Sequence, residues 1–338
     1  MSAVISAAAG GADRRGAKRV LVAGGGGFIG ANLCRVLLAQ GHTVIALDNY
    51  YSSARRNLLD LESQTGLTLI EHDIIEPLLR LEVGELDEIY NLACPASPPH
   101  YQRAPLFTLK TCFNGTMNLL DLAVLKNARY VQASTSEVYG DPQIHPQPEN
   151  YWGYVNPVGI RACYDEGKRA GETLCIEYMR QYGVDLRIAR IFNTYGPFMD
   201  PNDGRVVSNF IVQALSGQDL TVYGDGRQTR SFCYVDDMVR GLLALMKAPK
   251  APDGPVNLGN PSEFTMLELA ELVLAKVSSK ARLRFEPLPQ DDPQRRQPDI
   301  SKAREHLSWR PSVSLAEGLE KTIKYFEMRL HADIAAAE

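Results

Sequence analysis

The sequence predicts an α/β protein built on a doubly wound parallel sheet, with a smaller C-terminal domain beside it. Three observations predict it. Short apolar runs alternate with longer helix-patterned segments from Lys18 to about Arg190, a glycine-rich loop separates the first run from the first helical pattern, and beyond Arg190 the alternation dissolves into Pro- and Gly-rich stretches such as "YGPFMDPNDG". Runs that are hydrophobic at nearly every position belong in a sheet covered on both faces, and parallel strands require a crossover, usually helical, between them.

Taken in order, the runs are "RVLVAG", "TVIALD", "LTLIEHD", "EIYNLA", "YVQAST" and "DLRIARI". The first leads into "GGGGFIGANLCRVLLAQG", where Gly24, Gly27 and Gly30 are spaced three apart and Ile29, Leu33, Val36 and Leu37 mark one face of a helix. Glycines at that spacing permit a tight turn, close approach of backbone to a pyrophosphate and close helix–strand packing, while the helix start favours the anion. Asp48 ends the second run, where a carboxylate takes both ribose hydroxyls and repels a 2′-phosphate. The cofactor expected is therefore NAD rather than NADP, although Arg55 and Arg56 lie a few residues further on. Asp73 ends the third run, and reads equally as an adenine contact or as a helix N-cap.

The fifth run ends in Ser134, Thr135, Ser136 and Glu137 before a Tyr-Gly turn. Hydroxyls in such a place either serve the turn itself or present polar groups to a ligand. The next segment, "RACYDEGKRAGETLC", sets Tyr164 and Lys168 four apart, on one face of a helix. A free phenol titrates near about 10, and a neighbouring ammonium together with a positive nicotinamide would stabilise the phenolate as a proton acceptor for an alcohol losing hydride.

With these residues in view, the chain resembles the extended short-chain dehydrogenase/reductase family from about Lys18 to about Phe326 and, within it, the UDP-glucuronate decarboxylases, also called UDP-xylose synthases. The glycine loop, "NLA" at Asn91 to Ala93, Thr135 and the Tyr164/Lys168 pair mark the superfamily. The narrower likeness rests on "CPASPPHY", "TLKT", "STSEVYGDP", "HPQPENYWGYVNPVGIRACYDEGKR", "ARIFNTYGP", "NDGRVVSNFI", "LTVYGDGRQTRSF" and "DDPQRRQPDI". One departure stands out: the family loop reads GGAGFIGS, and this chain has Gly26 and Ala31 there, which implies slightly weaker cofactor retention.

The resemblance implies a Rossmann NAD-binding domain over 18–190 and a mainly UDP-sugar-binding domain over 191–330. NAD would also meet Phe28, Ile29, Asn49, Ile74, Ala93 and Thr111. Tyr164, Lys168, Thr135, Ser136, Glu137 and Arg205 would carry the chemistry, with Arg205 facing the sugar carboxylate or C5. Glu137 would order a water or guide a proton, or else make only a structural hydrogen bond. Lys110, Asn118, Asn193, Tyr223, Gln228, Arg230, Asp292 and Arg296 would meet the substrate. In related 4,6-dehydratases the triplet resembles Thr-Asp-Glu, so Ser136 argues against loss of water. The implied reaction turns UDP-glucuronate into UDP-xylose through a 4-ketone. A UDP-hexose 4-epimerase of the same fold is the rival, and a dinucleotide-sensing regulator a more distant one. A homodimer paired through helices near 104–125 and 161–181 is implied as well.

Composition sets the outer limits. The 338 residues are 45% apolar and 22% charged with a formal net charge of −4, which gives no basic footprint for nucleic acid. No stretch approaches the roughly 20 apolar residues of a membrane helix. The six histidines show no metal-ligand spacing, so no metal is expected. The six cysteines contain no CxxC pair and read as reduced thiols of a cytoplasmic chain. Residues 1–17 read as a disordered tail, with Arg14 and Arg15 keeping a transit peptide open, and 331–338 read as a second tail.

Overall fold

The computed structural model describes residues 16–288 and 295–337. The six apolar runs form β1 (Arg19–Ala23), β2 (Thr43–Asp48), β3 (Leu67–Glu71), β4 (Glu88–Asn91), β5 (Arg129–Thr135) and β6 (Leu186–Ile191). They pair in parallel in the order β3-β2-β1-β4-β5-β6. Neighbouring residues of β1 enter different cores: Val20 and Val22 pack on one face, Leu21 and Ala23 on the other. That is why the run is apolar at every position rather than at alternate ones. The strand order reverses between β1 and β4, so a crevice opens at their carboxyl ends.

Helix α1 (Phe28–Ala39) joins β1 to β2. Between β4 and β5 come α2 (Pro98–Arg103), α3 (Pro105–Lys110), a π-helical turn (Thr111–Gly115) and α4 (Thr116–Lys126), and α5 (Ala162–Tyr182) precedes β6.

Beyond β6 the chain forms β7 (Thr194–Tyr195), α6 (Val206–Leu215), β8 (Leu220–Tyr223), β9 (Thr229–Ser231), β10 (Cys233–Tyr234), α7 (Val235–Lys247) and β11 (Val256–Leu258). It continues through β12 (Glu263–Thr265), α8 (Met266–Val277), β13 (Leu283–Glu286), β14 (Arg295–Arg296), α9 (Ser301–Leu307) and α10 (Leu315–Ala337). Here the organisation differs from the boundary at Arg190. β11 pairs with β6 as the seventh strand of the large sheet, and α7 packs against α1, β5 and β6. Two apolar residues with Asn257 between them, framed by "GP" and "GNP", are too short a run to announce a strand. One apolar core runs unbroken from Val20 and Ala46 through Met238 and Leu242 to Phe210, Leu220 and Leu269 in the second lobe.

The expected C-terminal tail is instead helical to Ala337, in keeping with the helix-forming run of alanines there. Residues 1–15 of the expected N-terminal tail lie outside the described residues. Among the described residues no helix is long and apolar enough to cross a membrane.

Candidate active site

The carboxyl ends of the strands and the facing second lobe enclose a cavity of about 550 Å³, a size typical of small-molecule sites. Gly24, Gly27, Phe28, Ile29, Gly30, Asp48, Asn49, Asp73, Ile74, Ala93 and Thr111 line one end of it. Thr135, Ser136, Glu137, Tyr164 and Lys168 line the middle, and Asn193, Arg205, Tyr223, Gln228, Arg230 and Arg296 the far side. Two expected substrate residues stand elsewhere. Lys110 is exposed at the end of α3, and Asn118 on α4 donates to the carbonyls of Ile74, Ile75 and Glu76 at 2.8, 2.9 and 3.2 Å. Asn118 thus braces the Ile74 loop from behind. Asp292 lies outside the described residues.

At the glycine loop, Gly24 has φ +79° and donates its N–H to Leu47 at 2.8 Å, and a Cβ on it would stand 2.8 Å from the Ala93 backbone nitrogen. A Cβ on Gly30 would collide with the Gly24 carbonyl. Helix α1 begins after Gly27 with no side-chain cap, leaving its first amides free for an anion. Asp48 is buried at the end of β2. Its Oδ2 accepts from the Gly26 N–H at 2.9 Å, and its Oδ1 from the Tyr50 N–H at 2.9 Å and the Ser53 hydroxyl at 2.7 Å. Burial raises its pKa, and these hydrogen bonds oppose the rise. The departure at Gly26 has a local reason: a Cβ there would meet the Tyr50 ring at 2.8 Å. Ala31 is fully buried in the apolar core and does not line the cavity. Asp73 accepts from the Asn49 amide and the Ile75 N–H, each at 2.9 Å, so its carboxylate closes a turn while lining the cavity; no helix follows it.

The polar end of β5 divides its hydroxyls among different tasks. Ser134 donates to Glu172 at 2.5 Å, where Arg190 also binds that carboxylate through two nitrogens at 2.9 and 2.7 Å. Thr135 accepts the Glu137 N–H at 3.2 Å, and Ser136 is buried against the cavity. From α5, Tyr164 stacks on Tyr101 with ring centres 5.1 Å apart and planes within 6°. Lys168 Nζ donates to the Ala133 carbonyl at 2.9 Å and stands 5.7 Å from the Tyr164 ring centre. Burial lifts the Tyr164 phenol well above its ordinary value, nearby Cys94 adds to this, and a hydrogen bond with Thr135 opposes it. The protein alone therefore does not deliver the easy phenolate that the Tyr/Lys spacing suggests.

Glu137 is held from two sides. Arg296, on β14, donates to Oε1 at 2.6 Å and Oε2 at 2.9 Å, and Arg161 donates to Oε2 at 2.7 Å. Burial disfavours this charge, but the two arginines overcome it and hold the carboxyl at about 2. Arg205 lines the same cavity at the start of α6, with its Nε 3.1 Å from Asp203. Two guanidiniums, those of Arg296 and Arg161, are thus locked onto Glu137, while Arg205 pairs with Asp203. Asp165, next to Tyr164, is pushed up to about 8 by burial and by the Glu137 charge. Sequence reasoning missed Tyr101, Arg161 and Asp165; for Arg161, a cation three residues before Tyr164, the only signal was its place in the "RACYDEGKR" string.

This fold, with a glycine loop, a carboxylate at the end of the second strand and a Tyr/Lys helix around one crevice, defines a class, and residues 20–259 match the model of the NAD dependent epimerase/dehydratase family: the chain belongs to it. Among curated relatives, UDP-glucuronic acid decarboxylase 1 of Danio rerio is 55% identical over 313 residues, covering 93% of this chain and 73% of the relative. UDP-glucuronic acid decarboxylase 3 of Arabidopsis thaliana is 53% identical over 314 residues, covering 93% of this chain and 90% of the relative. Among solved structures, the UDP-glucuronic acid 4-epimerase of Bacillus cereus, in complex with UDP-glucuronic acid and NAD, superposes with a TM-score of 0.85 at 28% identity over 92% of this chain and 99% of that one. The cofactor of the family fits the residues present. The side-chain-free approach at Gly24 and Gly30 leaves a cradle for a pyrophosphate, and Asp48 stands where a ribose would lie.

Proposed function

We propose that this protein converts UDP-glucuronate to UDP-xylose and carbon dioxide. The observation that carries the reading is Thr135, Ser136 and an arginine-clamped Glu137 beside Tyr164, in a chain more than half identical over most of its length to UDP-glucuronic acid decarboxylases. Bound NAD supplies a hydride acceptor at the sugar C4 that gives the hydride back at the end, and a positive charge that favours the neighbouring phenolate. Tyr164 takes the C4 hydroxyl proton, with Lys168 and the stacked Tyr101 fixing its position.

Once C4 is a ketone, the C6 carboxylate is β to a carbonyl. The C5–C6 bond breaks, carbon dioxide leaves, and the electron pair spreads onto the C4 oxygen, to which Tyr164 and Thr135 donate hydrogen bonds. Ser136 offers a hydroxyl where expulsion of water would need an acid, which favours decarboxylation over dehydration. Held at about 2, Glu137 is ionised throughout the working range and gives up no proton of its own. It orders a water that protonates C5, with Arg296 and Arg161 keeping it charged, while Arg205 faces the sugar carboxylate. Arg230, Tyr223, Gln228 and Asn193 take the nucleotide end.

Incubation with UDP-glucuronate followed by mass analysis tests the proposal. The product should be lighter by carbon dioxide; an isomer of unchanged mass would make the enzyme a 4-epimerase instead. The same reading makes the protein a cytoplasmic homodimer. Six free cysteines support the first, and the second is supported by the exposed apolar residues Leu106, Phe113 and Leu125 on the α3–α4 segment with Tyr182 at the end of α5.

A further inference from the structure

The cysteines stand singly in the sequence, yet folding brings two of them together at the wall of the catalytic cavity. Cys94, half-buried in the loop after β4, lines the cavity with Tyr164 and Lys168. Cys112 lies behind it, 3% exposed, in the π-helical turn. Their sulfurs are 3.3 Å apart, about 1.3 Å more than a disulfide bond. Cys112 is seated closely: a Cβ on Gly167 of α5 would stand 3.0 Å from its Cβ and 3.1 Å from its sulfur. Burial opposes ionisation of Cys94, but the bond from the Cys112 thiol and the Lys168 ammonium outweigh it and hold this thiol below its ordinary value. The bond to Cys94 and burial raise Cys112. An ionisable sulfur facing the cavity, backed by a protonated one in contact, is the arrangement of an attacking and a resolving thiol.

We infer that Cys94 and Cys112 form an oxidisable dithiol, and that its closure by hydrogen peroxide reversibly stops turnover. The Cys94 thiolate attacks the peroxide; an S–O bond forms, the O–O bond breaks, and hydroxide leaves and is protonated to water. Cys112 then attacks the Cys94 sulfenic acid; the S–S bond forms, the S–O bond breaks, and hydroxide leaves with the Cys112 proton as a second water. Two thiols and one peroxide give one disulfide and two waters. Closure draws the Cys94 loop toward α5 and removes the sulfur charge that faces Lys168 and Tyr164, both of which the proposed reaction uses.

The test is hydrogen peroxide treatment of the purified enzyme, followed by non-reducing peptide mapping and a turnover assay. The turnover readout rests on the decarboxylase reading, whereas the peptide map does not. The map should show one linked pair carrying Cys94 and Cys112, with most turnover lost and both changes undone by dithiothreitol. Cys112→Ala, with Cys112→Ser as a second variant against a packing defect, should keep turnover before oxidation, form no link, and accumulate a Cys94 sulfenic acid that dimedone traps. A wild-type map without that link overturns the dithiol, and a link formed at full turnover overturns its coupling to catalysis. No turnover before any oxidant would instead count against the decarboxylase reading, and the map would still decide the dithiol.

Discussion

Replacing Asp165 by Asn tests how the charges around Tyr164 are balanced. Asp165 is 6% exposed, and its Oδ1 has no hydrogen-bond partner among the described residues. Burial and the Glu137 carboxylate lift it from 3.8 to about 8, against the pull of Arg161 and Arg296. A raised carboxyl stays protonated in the fold where the unfolded chain has already ionised. Between 3.8 and about 8 the folded state therefore holds one extra proton, and stability falls as the pH rises. Each unit in that window is worth about 1.4 kcal/mol, so going from about pH 6 to about pH 8 should cost about 2 kcal/mol from this group, allowing for its half-titration at the top. Asn cannot ionise, so Asp165→Asn removes that slope and leaves the other groups in place. Urea unfolding of both proteins across the window is the assay. Wild-type and variant stabilities that stay parallel from about pH 6 to about pH 8 would refute the reasoning. A second arm follows from the cause: in a Glu137→Gln background the repulsion is gone, and the Asp165 slope should end at a lower pH.

Tyr164→Phe keeps the stacking on Tyr101 and deletes only the phenolic oxygen, so turnover should fall about 10³-fold while melting temperature and NAD content hold; a variant with substantial turnover removes Tyr164 from the role of base. Arg296→Met leaves Glu137 with Arg161 alone, so stability should drop by about 2 kcal/mol and kcat should fall more than KM rises; a change confined to KM would make the clamp a substrate-binding device. Asp48→Ala should weaken NAD binding by about 10- to 100-fold and narrow the preference over NADP, as measured by calorimetry; unchanged selectivity would mean that Arg55 and Arg56, not Asp48, decide the cofactor.

The parts of this protein legible in its sequence are those written in consecutive residues. Six strands announced themselves because a sheet covered on both faces makes their runs mostly apolar, and the glycine loop and the Tyr164/Lys168 pair are each contained in one short segment. What stayed hidden depends on chain returning from far away. Arg296 reaches Glu137 from 159 residues on, and nothing local to either predicts the pairing. The three hydroxyls at the end of β5 look alike in sequence, yet that of Ser134 is committed to Glu172, the carboxylate that Arg190 also holds. Lys110 and Asn118 were matched by position alone, and the turn of α3 into α4 directs them to solvent and to a backbone loop.

The late arrival of β11 bears on how the chain is made. Until Val256–Leu258 has left the ribosome, β6 is the border of the sheet, with a row of backbone amides and carbonyls open to any passing strand. The nucleotide-binding half is thus not a unit that can finish itself during synthesis: more than sixty further residues, the span from Ile191 to Val256, must be translated before its border is sealed. A nascent or truncated chain ending near Arg190 would expose that border next to the Arg190–Glu172 brace. Such a chain would carry an open sheet edge, the kind of border that invites mispairing before the rest of the protein is made.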